Sequence, residues 1–297
     1  MTLQTLTNFE TLANYRNFSK AARVLFISQS ALSHSIRSLE DELKVQLFER
    51  RGAESLLTEN GKALLNYVRK IFNEQDNLRL ALNDSGNIFN SPIRITIKMG
   101  FYPQRDLILR FQKRYPEARL SIYQHEQGRM AFFPWDLSFY NCDTPNLQPG
   151  AIFLFEEPFL LLIHRDHPLN QNSRITLSDL EPYPGFQMLL PQITLERIAA
   201  LFDSAGVLPD YTVVTDYFHL IVHLVNEKRG WSLLPAVSMV PFPLGDLRLR
   251  HVEGMDVRRW VYLKQNEERY PSKAMKLFQE FTKEYFAEKR GGIWREF

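Results

Sequence analysis

Residues 19–51, from Ser19-Lys20-Ala21-Ala22 to Phe48-Glu49-Arg50-Arg51, constrain this chain's fold more than any other stretch. Ala21, Ala22 and Leu25 fall on one face of a short helix, for which Ser19 is placed as N-cap. Phe26-Ile27 makes a tight turn, and Ser28 caps a second helix. In that helix Leu32, Ile36, Leu39 and Leu43 recur at spacings of four, three and four residues, an apolar stripe for packing. Gln29, Ser30, Ser33, His34 and Arg37 lie on the other side. Short amide, hydroxyl and guanidinium groups match the donors and acceptors of base edges in a DNA groove. An ordinary solvated helix face would carry more Lys and Glu.

The residues that follow agree with a reading head for DNA. Leu47-Phe48-Glu49-Arg50 and Ser55-Leu56-Leu57 can pair as a small hairpin around Gly52-Ala53-Glu54. Phe48 and Leu56 are expected to plug the core, with Arg50 and Arg51 directed at a phosphate backbone or a minor groove. Thr58 then caps a long helix, and Glu59 sits at the positive end of its dipole. Leu64, Val68, Ile71, Gln75, Leu78 and Leu82 recur at four-three spacing, the seam of a coiled coil with one polar member. Little of residues 1–58 is left to cover so long a stripe, so a partner helix is expected. Asn83-Asp84-Ser85-Gly86-Asn87 ends the helix with turn residues.

At 297 residues, 44% hydrophobic and 24% charged, the chain has room for two or three domains with real cores. No apolar run approaches the ~20 residues of a membrane helix, and no basic-then-apolar leader opens the chain. Its single cysteine, Cys142, excludes a disulfide within one chain and fits a reducing cytoplasm, where the protein is expected to reside. Net charge is only +2. Within residues 1–58 seven Arg and Lys face six Asp and Glu, so DNA affinity must come from placement, with a modest salt dependence.

From Ile93 the pattern changes to alternating strands and helices. Strands are expected at Ile93–Ile97, Leu120–Tyr123, Asp136–Tyr140, Ile152–Phe155, Phe159–His164, Phe186–Leu190, Tyr211–Thr215 and Trp260–Leu263, with mostly parallel sheets. Helices are expected after Pro103, over Leu195–Ala205, near Phe218–Val225 and near Ser272–Phe286. No Gly-rich phosphate loop, serine between glycines or metal-spaced cysteine pair is present. His164-Arg165-Asp166-His167, followed by Pro168, reads as a strand exit rather than a ligand set. No cofactor, metal or enzymatic activity is expected.

The chain resembles the LysR-type transcriptional regulators. The resemblance runs through Phe9, Phe18-Ser19, Ala21-Ala22, Ser28-Gln29, Ala31-Leu32-Ser33, Ile36, Leu39-Glu40, Leu43, Leu47-Phe48-Glu49-Arg50 and Leu57-Thr58-Glu59-Asn60-Gly61. It is dense over residues 9–61 and looser beyond, where Glu157-Pro158, Asp166-His167-Pro168-Leu169 and Gly230-Trp231-Ser232-Leu233-Leu234-Pro235 resemble family strings. The family commonly has Pro where Ser30 stands, Arg for His34 and Gln for Ser35, so the resemblance gives the scaffold and not the base sequence read.

The resemblance implies an α/β fold with an N-terminal winged helix-turn-helix (residues 1–58), a linker dimerisation helix (59–86) and a two-lobed effector domain like the periplasmic binding proteins (87–297). Lobe I would span about 91–163 and 265–297, lobe II about 164–264. It implies that Ser28, Gln29, Ser30, Ser33 and His34 touch base edges while Arg23, Arg37, Arg50 and Arg51 hold phosphates.

A cleft between the lobes would take a small-molecule effector, with Gly100, Phe101 and Tyr102, Tyr140 and Asn141, and Pro191, Gln192, Ile193 and Thr194 lining it. Two facing helix starts favour an organic acid. The residues leave two meanings open: the cleft takes an aromatic or apolar acid, or it is filled by its own side chains. The implied partners are promoter DNA with an inverted repeat, RNA polymerase and further copies of the chain, as dimer or tetramer. Two other functions fit the residues: a binding-protein-like sensor acting through a protein partner, and a constitutive regulator without effector.

Overall fold

A computed structural model describes residues 1–52, 54–83, 88–97, 102–124, 135–145, 148–238 and 243–290. The described residues form two compact units, one from residues 1–83 together with Glu268–Tyr270, the other from the rest of the described residues.

The first unit contains α1 (Leu3–Tyr15), α2 (Phe18–Val24), α3 (Gln29–Leu43), the hairpin β1 (Phe48–Arg51) and β2 (Glu54–Leu57), and α4 (Glu59–Asn83). Ser28 caps α3, accepting from Ala31 N at 3.1 Å. The cap of α2 is Asn17, which accepts from Lys20 N at 3.0 Å, and not Ser19 as the sequence suggested. Asn17 is the extended residue just before the first turn, the place where a short side chain can reach back to a free N–H.

Leu32, Ile36 and Leu39 of the stripe are buried against Leu6, Phe9, Leu12, Ala21, Ala22 and Leu47. Each fully buried side chain of this size stabilises by roughly 1.5–3 kcal/mol. Glu40 accepts from Leu47 N at 2.7 Å and Phe48 N at 3.2 Å, pinning the start of the wing to α3. Leu57, opposite Phe48 in the hairpin register, is the wing residue that packs on the core, in place of the expected Leu56, which pairs with Glu49 on the other face.

The stripe of α4 does not remain whole. Val68 is fully buried in the first unit's own core and Leu64 is half-buried against it, so these two are taken within the chain. Ile71, Leu78 and Leu82 stay exposed.

The second unit comprises β3 (Ile93–Ile97), α5 (Tyr102–Arg114), β4 (Leu120–Gln124), β5 (Leu137–Cys142), β6 (Ala151–His164), β7 (Gly185–Met188), α6 (Gln192–Ser204), β8 (Tyr211–Thr215), α7 (Phe218–Asn226), β9 (Ser232–Pro235), β10 (Leu247–Arg250), β11 (Arg258–Gln265) and α8 (Lys273–Arg290). One sheet has the order β10-β6-β11-β5-β3-β4, with β9 also on β6; β7 and β8 form a separate parallel pair. Contrary to the parallel expectation, among the described residues only β3–β4 and β3–β5 are parallel in the large sheet, and the four other pairings are antiparallel. The reason is β6, a single strand where two were expected. Its first half pairs with β11 and its second half with β9 and β10.

That change of partner marks the lobe boundary. Phe155, Val237 and Val261 belong to one core, while Phe159 and Val257 belong to another. The crossings therefore fall near Glu157 and Arg259 rather than near His164 and Lys264. Glu157 is fully buried at this point and ties three crossing segments together. Its Oε1 accepts from Arg259 Nε at 2.6 Å and from Ser238 Oγ at 2.6 Å, and its Oε2 accepts from Val237 N and Ser238 N at 2.8 Å each. Arg259 also donates from Nη2 to Ser238 Oγ. Both carboxylate oxygens are satisfied by charge-assisted or backbone bonds, while Arg259 Nη1 is buried without a hydrogen-bond partner among the described residues, so the pair specifies the crossing more than it stabilises it.

Candidate nucleic-acid interface and inter-lobe cleft

With its apolar stripe buried, α3 turns Ser28, Gln29, Ser30, His34 and Arg37 to solvent, and Arg23 at the end of α2 is exposed beside them. Ser33 is only half exposed, and its neighbour Ser35 is held inward by Asn8 Nδ2 at 2.9 Å. Ser28 and Ser30 share a hydroxyl hydrogen bond at 2.9 Å. Ser19, freed from capping, donates from Oγ to Gln29 Oε1 at 2.7 Å, a positioning role with no signal in the periodicity. Arg50 and Arg51 belong to β1, in register with Ser55 and Glu54; their side chains lie outside the described residues. Phe26, in the turn before α3, is almost wholly exposed at φ 56°.

Gly100 and Phe101 of the expected effector site lie outside the described residues. Tyr102 opens α5 and donates from its backbone N to Ser238 O at 3.0 Å. Its ring meets Phe218 of α7, in the other lobe, edge-on with 5.8 Å between centroids, and His219 at 6.4 Å. Burial raises the pKa of its phenol. Tyr140 stacks on Tyr262 at 5.3 Å, its phenol pKa raised by burial and by the neighbouring Cys142. Asn141 is half-buried and lies opposite Val261 in the β5–β11 register.

At the start of α6, Pro191 takes the cap position with no side-chain hydrogen bond. Gln192 is spent on Glu196 at 2.7 Å, and Ile193 is exposed. Thr194 is buried and donates to Asp143 Oδ1 at 2.5 Å, and Arg197 Nη1 donates to Asp143 O at 3.0 Å. Asp143 follows β5 directly and was not among the expected site residues. Among the described residues, no group of three His, Cys, Asp or Glu side chains could hold a metal ion.

The family description "Bacterial regulatory helix-turn-helix protein, lysR family" matches residues 3–62, and "LysR substrate binding domain" matches residues 90–287. The chain belongs to the LysR family. The HTH-type transcriptional regulator cbl of Escherichia coli is 33% identical over 232 residues, covering 75% of this chain and 73% of that protein. The DNA-binding transcriptional dual regulator OxyR of Escherichia coli is 27% identical over 249 residues, 81% of each chain. Among solved structures, full-length CbnR complexed with its target DNA superposes with a TM-score of 0.62 at 20% identity, over 96% of this chain and all of that one. A full-length OxyR variant of Pseudomonas aeruginosa gives 0.64 at 22%, over 96% and 94%. This LysR-family chain is a DNA-binding transcriptional regulator with an effector-binding domain, and it works as an oligomer. Among the described residues, no helix is long and apolar enough to cross a membrane.

Proposed function

We propose that α3 reads the operator through its solvent face, with Ser28, Gln29, Ser30, Ser33 and His34 against base edges and Arg23, Arg37, Arg50 and Arg51 on phosphates. The observation that carries this reading is the sorting of α3: Leu32, Ile36 and Leu39 are buried while Gln29, Ser30, His34 and Arg37 are exposed and Ser33 is half-exposed, with Gln29 held by Ser19. A groove admits such a helix, and amide and hydroxyl groups match base edges. The exposed Ile71, Leu78 and Leu82 of α4 suit pairing with a second copy, which would set two reading heads on an inverted repeat.

The effector enters between the lobes beside Tyr102, Tyr140, Asn141 and the start of α6, and shifts the population of lobe arrangements. RNA polymerase is the partner that receives the change. The protein acts in the cytoplasm, without catalytic activity. A redox switch built on two thiols of one chain is excluded by the cysteine count of one.

Selection from sheared genomic DNA of the host at near-physiological salt, followed by sequencing, tests the reading. A few intergenic sites sharing an inverted repeat are expected. Uniform recovery, or none, would favour the alternative of a sensor that works through a protein partner.

A further inference from the structure

Side chains in the first turns of α6 are already engaged by the chain itself. Asp143 stands at the end of β5, whose Phe139 packs in the lobe I core, while α6 packs Ile198 and Phe202 into the lobe II core. Two residues of α6 three positions apart, hence neighbours on one face of the helix, converge on this one residue of the other lobe. The Thr194 hydroxyl donates to its carboxylate, and Arg197 Nη1 donates to its carbonyl oxygen. Thr194 is 2% exposed, so its hydroxyl has little access to water, and losing its partner would strand it. The first turn of α6 lacks a side-chain cap, and a helix start favours a negative charge. A second bridge closes the same cleft where the Tyr102 ring meets Phe218 and His219.

We propose that Asp143 is the resident carboxylate of the cleft: it takes the Thr194 hydroxyl in the first turn of α6, latches lobe I to lobe II, and admits a carboxylate effector only by displacement. This inference rests on the effector reading of the cleft but not on DNA recognition by α3. Of the two meanings the residues left open, it selects a cleft filled by its own side chains at rest. Asp143 thereby sets the specificity of the cleft, because an incoming ligand must bring an oxyanion that replaces both its charge and its acceptor for Thr194.

Chemical rescue tests it on the full-length protein, with acetate as the probe and chloride at equal ionic strength as the control. The single thiol, Cys142, adjoins Asp143 and reports opening through its rate of modification by a disulfide reagent. Asp143→Gly should raise that rate several-fold, and tens of millimolar acetate, but not chloride, should return it toward the wild-type value. Thr194→Val should also raise it, with no recovery in acetate, because the hydroxyl donor is gone. Wild type should not respond to acetate at these concentrations. Should Asp143→Gly fail to fold, Thr194→Val and the wild-type control still decide. An unchanged thiol rate in the variants, a raised rate that acetate does not lower in Asp143→Gly, or an equal acetate response in wild type would overturn the assignment. Each of these outcomes leaves DNA binding untouched and so separates this inference from the reading of α3.

Discussion

Ser19 of α2 donates its hydroxyl proton to Gln29 Oε1 of α3 across 2.7 Å, joining the two helices of the reading head at their exposed edge. The bond fixes which way the Gln29 carboxamide points. Its oxygen is engaged with Ser19, so Nε2 is the group presented outward, and it donates. In a major groove such a donor selects N7 or O6 of guanine, O4 of thymine or N7 of adenine. If α3 reads the operator as proposed, specificity at one position would be set in part by a residue that need not touch the DNA.

Replacing Ser19 with Ala should leave overall affinity within a fewfold of wild type while flattening base preference at the position under Gln29. Affinity measured across the four base-pair variants of that position gives the answer. A preference profile identical to wild type would remove Ser19 from the mechanism.

Gly61, in the first turn of α4, is the one residue the wing can accommodate there. A Cβ at this position would lie 2.2 Å from Leu47 O and 2.8 Å from a Leu57 methyl, and the first of these is backbone that cannot swing aside. Gly61→Ala should destabilise the reading head by about 1–3 kcal/mol through overpacking, despite the better helix propensity of Ala. Urea unfolding of the full chain, followed at a signal from the first unit, checks this. An unchanged or raised midpoint would show that the close approach relaxes at no cost.

Glu157 holds the lobe crossings at Arg259, Val237 and Ser238. Removing its carboxylate with Glu157→Ala leaves the Arg259 guanidinium buried and uncompensated, for which the expected loss is about 3–5 kcal/mol. The double variant Glu157→Leu with Arg259→Met should recover much of it, because the stranded charge is gone. Equal instability of single and double variants, read by thermal unfolding, would mean that the backbone bonds to Glu157 dominate.

His167 is buried against Tyr183 with ring centroids 4.7 Å apart, and its Nδ1 accepts from Leu169 N at 3.3 Å, which suits the neutral ring. Burial, and secondarily His164, lowers its pKa below 6.5. The unfolded chain then binds the proton more readily than the folded one. The stability contributed by the neutral ring is present above pH 6.5 and is lost as pH falls below it, until the folded pKa is reached. His167→Asn keeps a short acceptor for Leu169 and cannot titrate, so its stability should fall less steeply between about pH 7 and 5. Parallel profiles for the two proteins would place the titration elsewhere.

Much of this architecture is legible in periodicity. The stripe Leu32-Ile36-Leu39, the caps Ser28 and Thr58, and the placement of α5 and α6 follow from local spacing, which a helix obeys whatever surrounds it. The departures have tertiary causes. Asn17 and Ser19 are both competent caps two residues apart, and only the chain's entry into α2 chooses between them. Leu56 and Leu57 are equivalent in composition; which one faces inward is decided by the register with Phe48. Glu156-Glu157-Pro158 looks like a turn, yet it is the point where β6 exchanges partners, and a proline is tolerated there. Val68 looked available to a partner helix because the area of the first unit's own core is not visible in one strand of letters. Asp143 carried no signal at all, since its partners Thr194 and Arg197 lie more than fifty residues away.

The most direct test of the account is a paired titration on a selected operator and on unrelated duplex DNA, across a range of salt, with wild type, Gln29→Ala and Arg37→Ala. The account predicts that Gln29→Ala loses about 1–3 kcal/mol on the operator and almost nothing on unrelated DNA, while Arg37→Ala weakens both alike and lowers the salt slope by about one. Equal losses for Gln29→Ala on both DNAs would contradict base reading by the exposed face of α3.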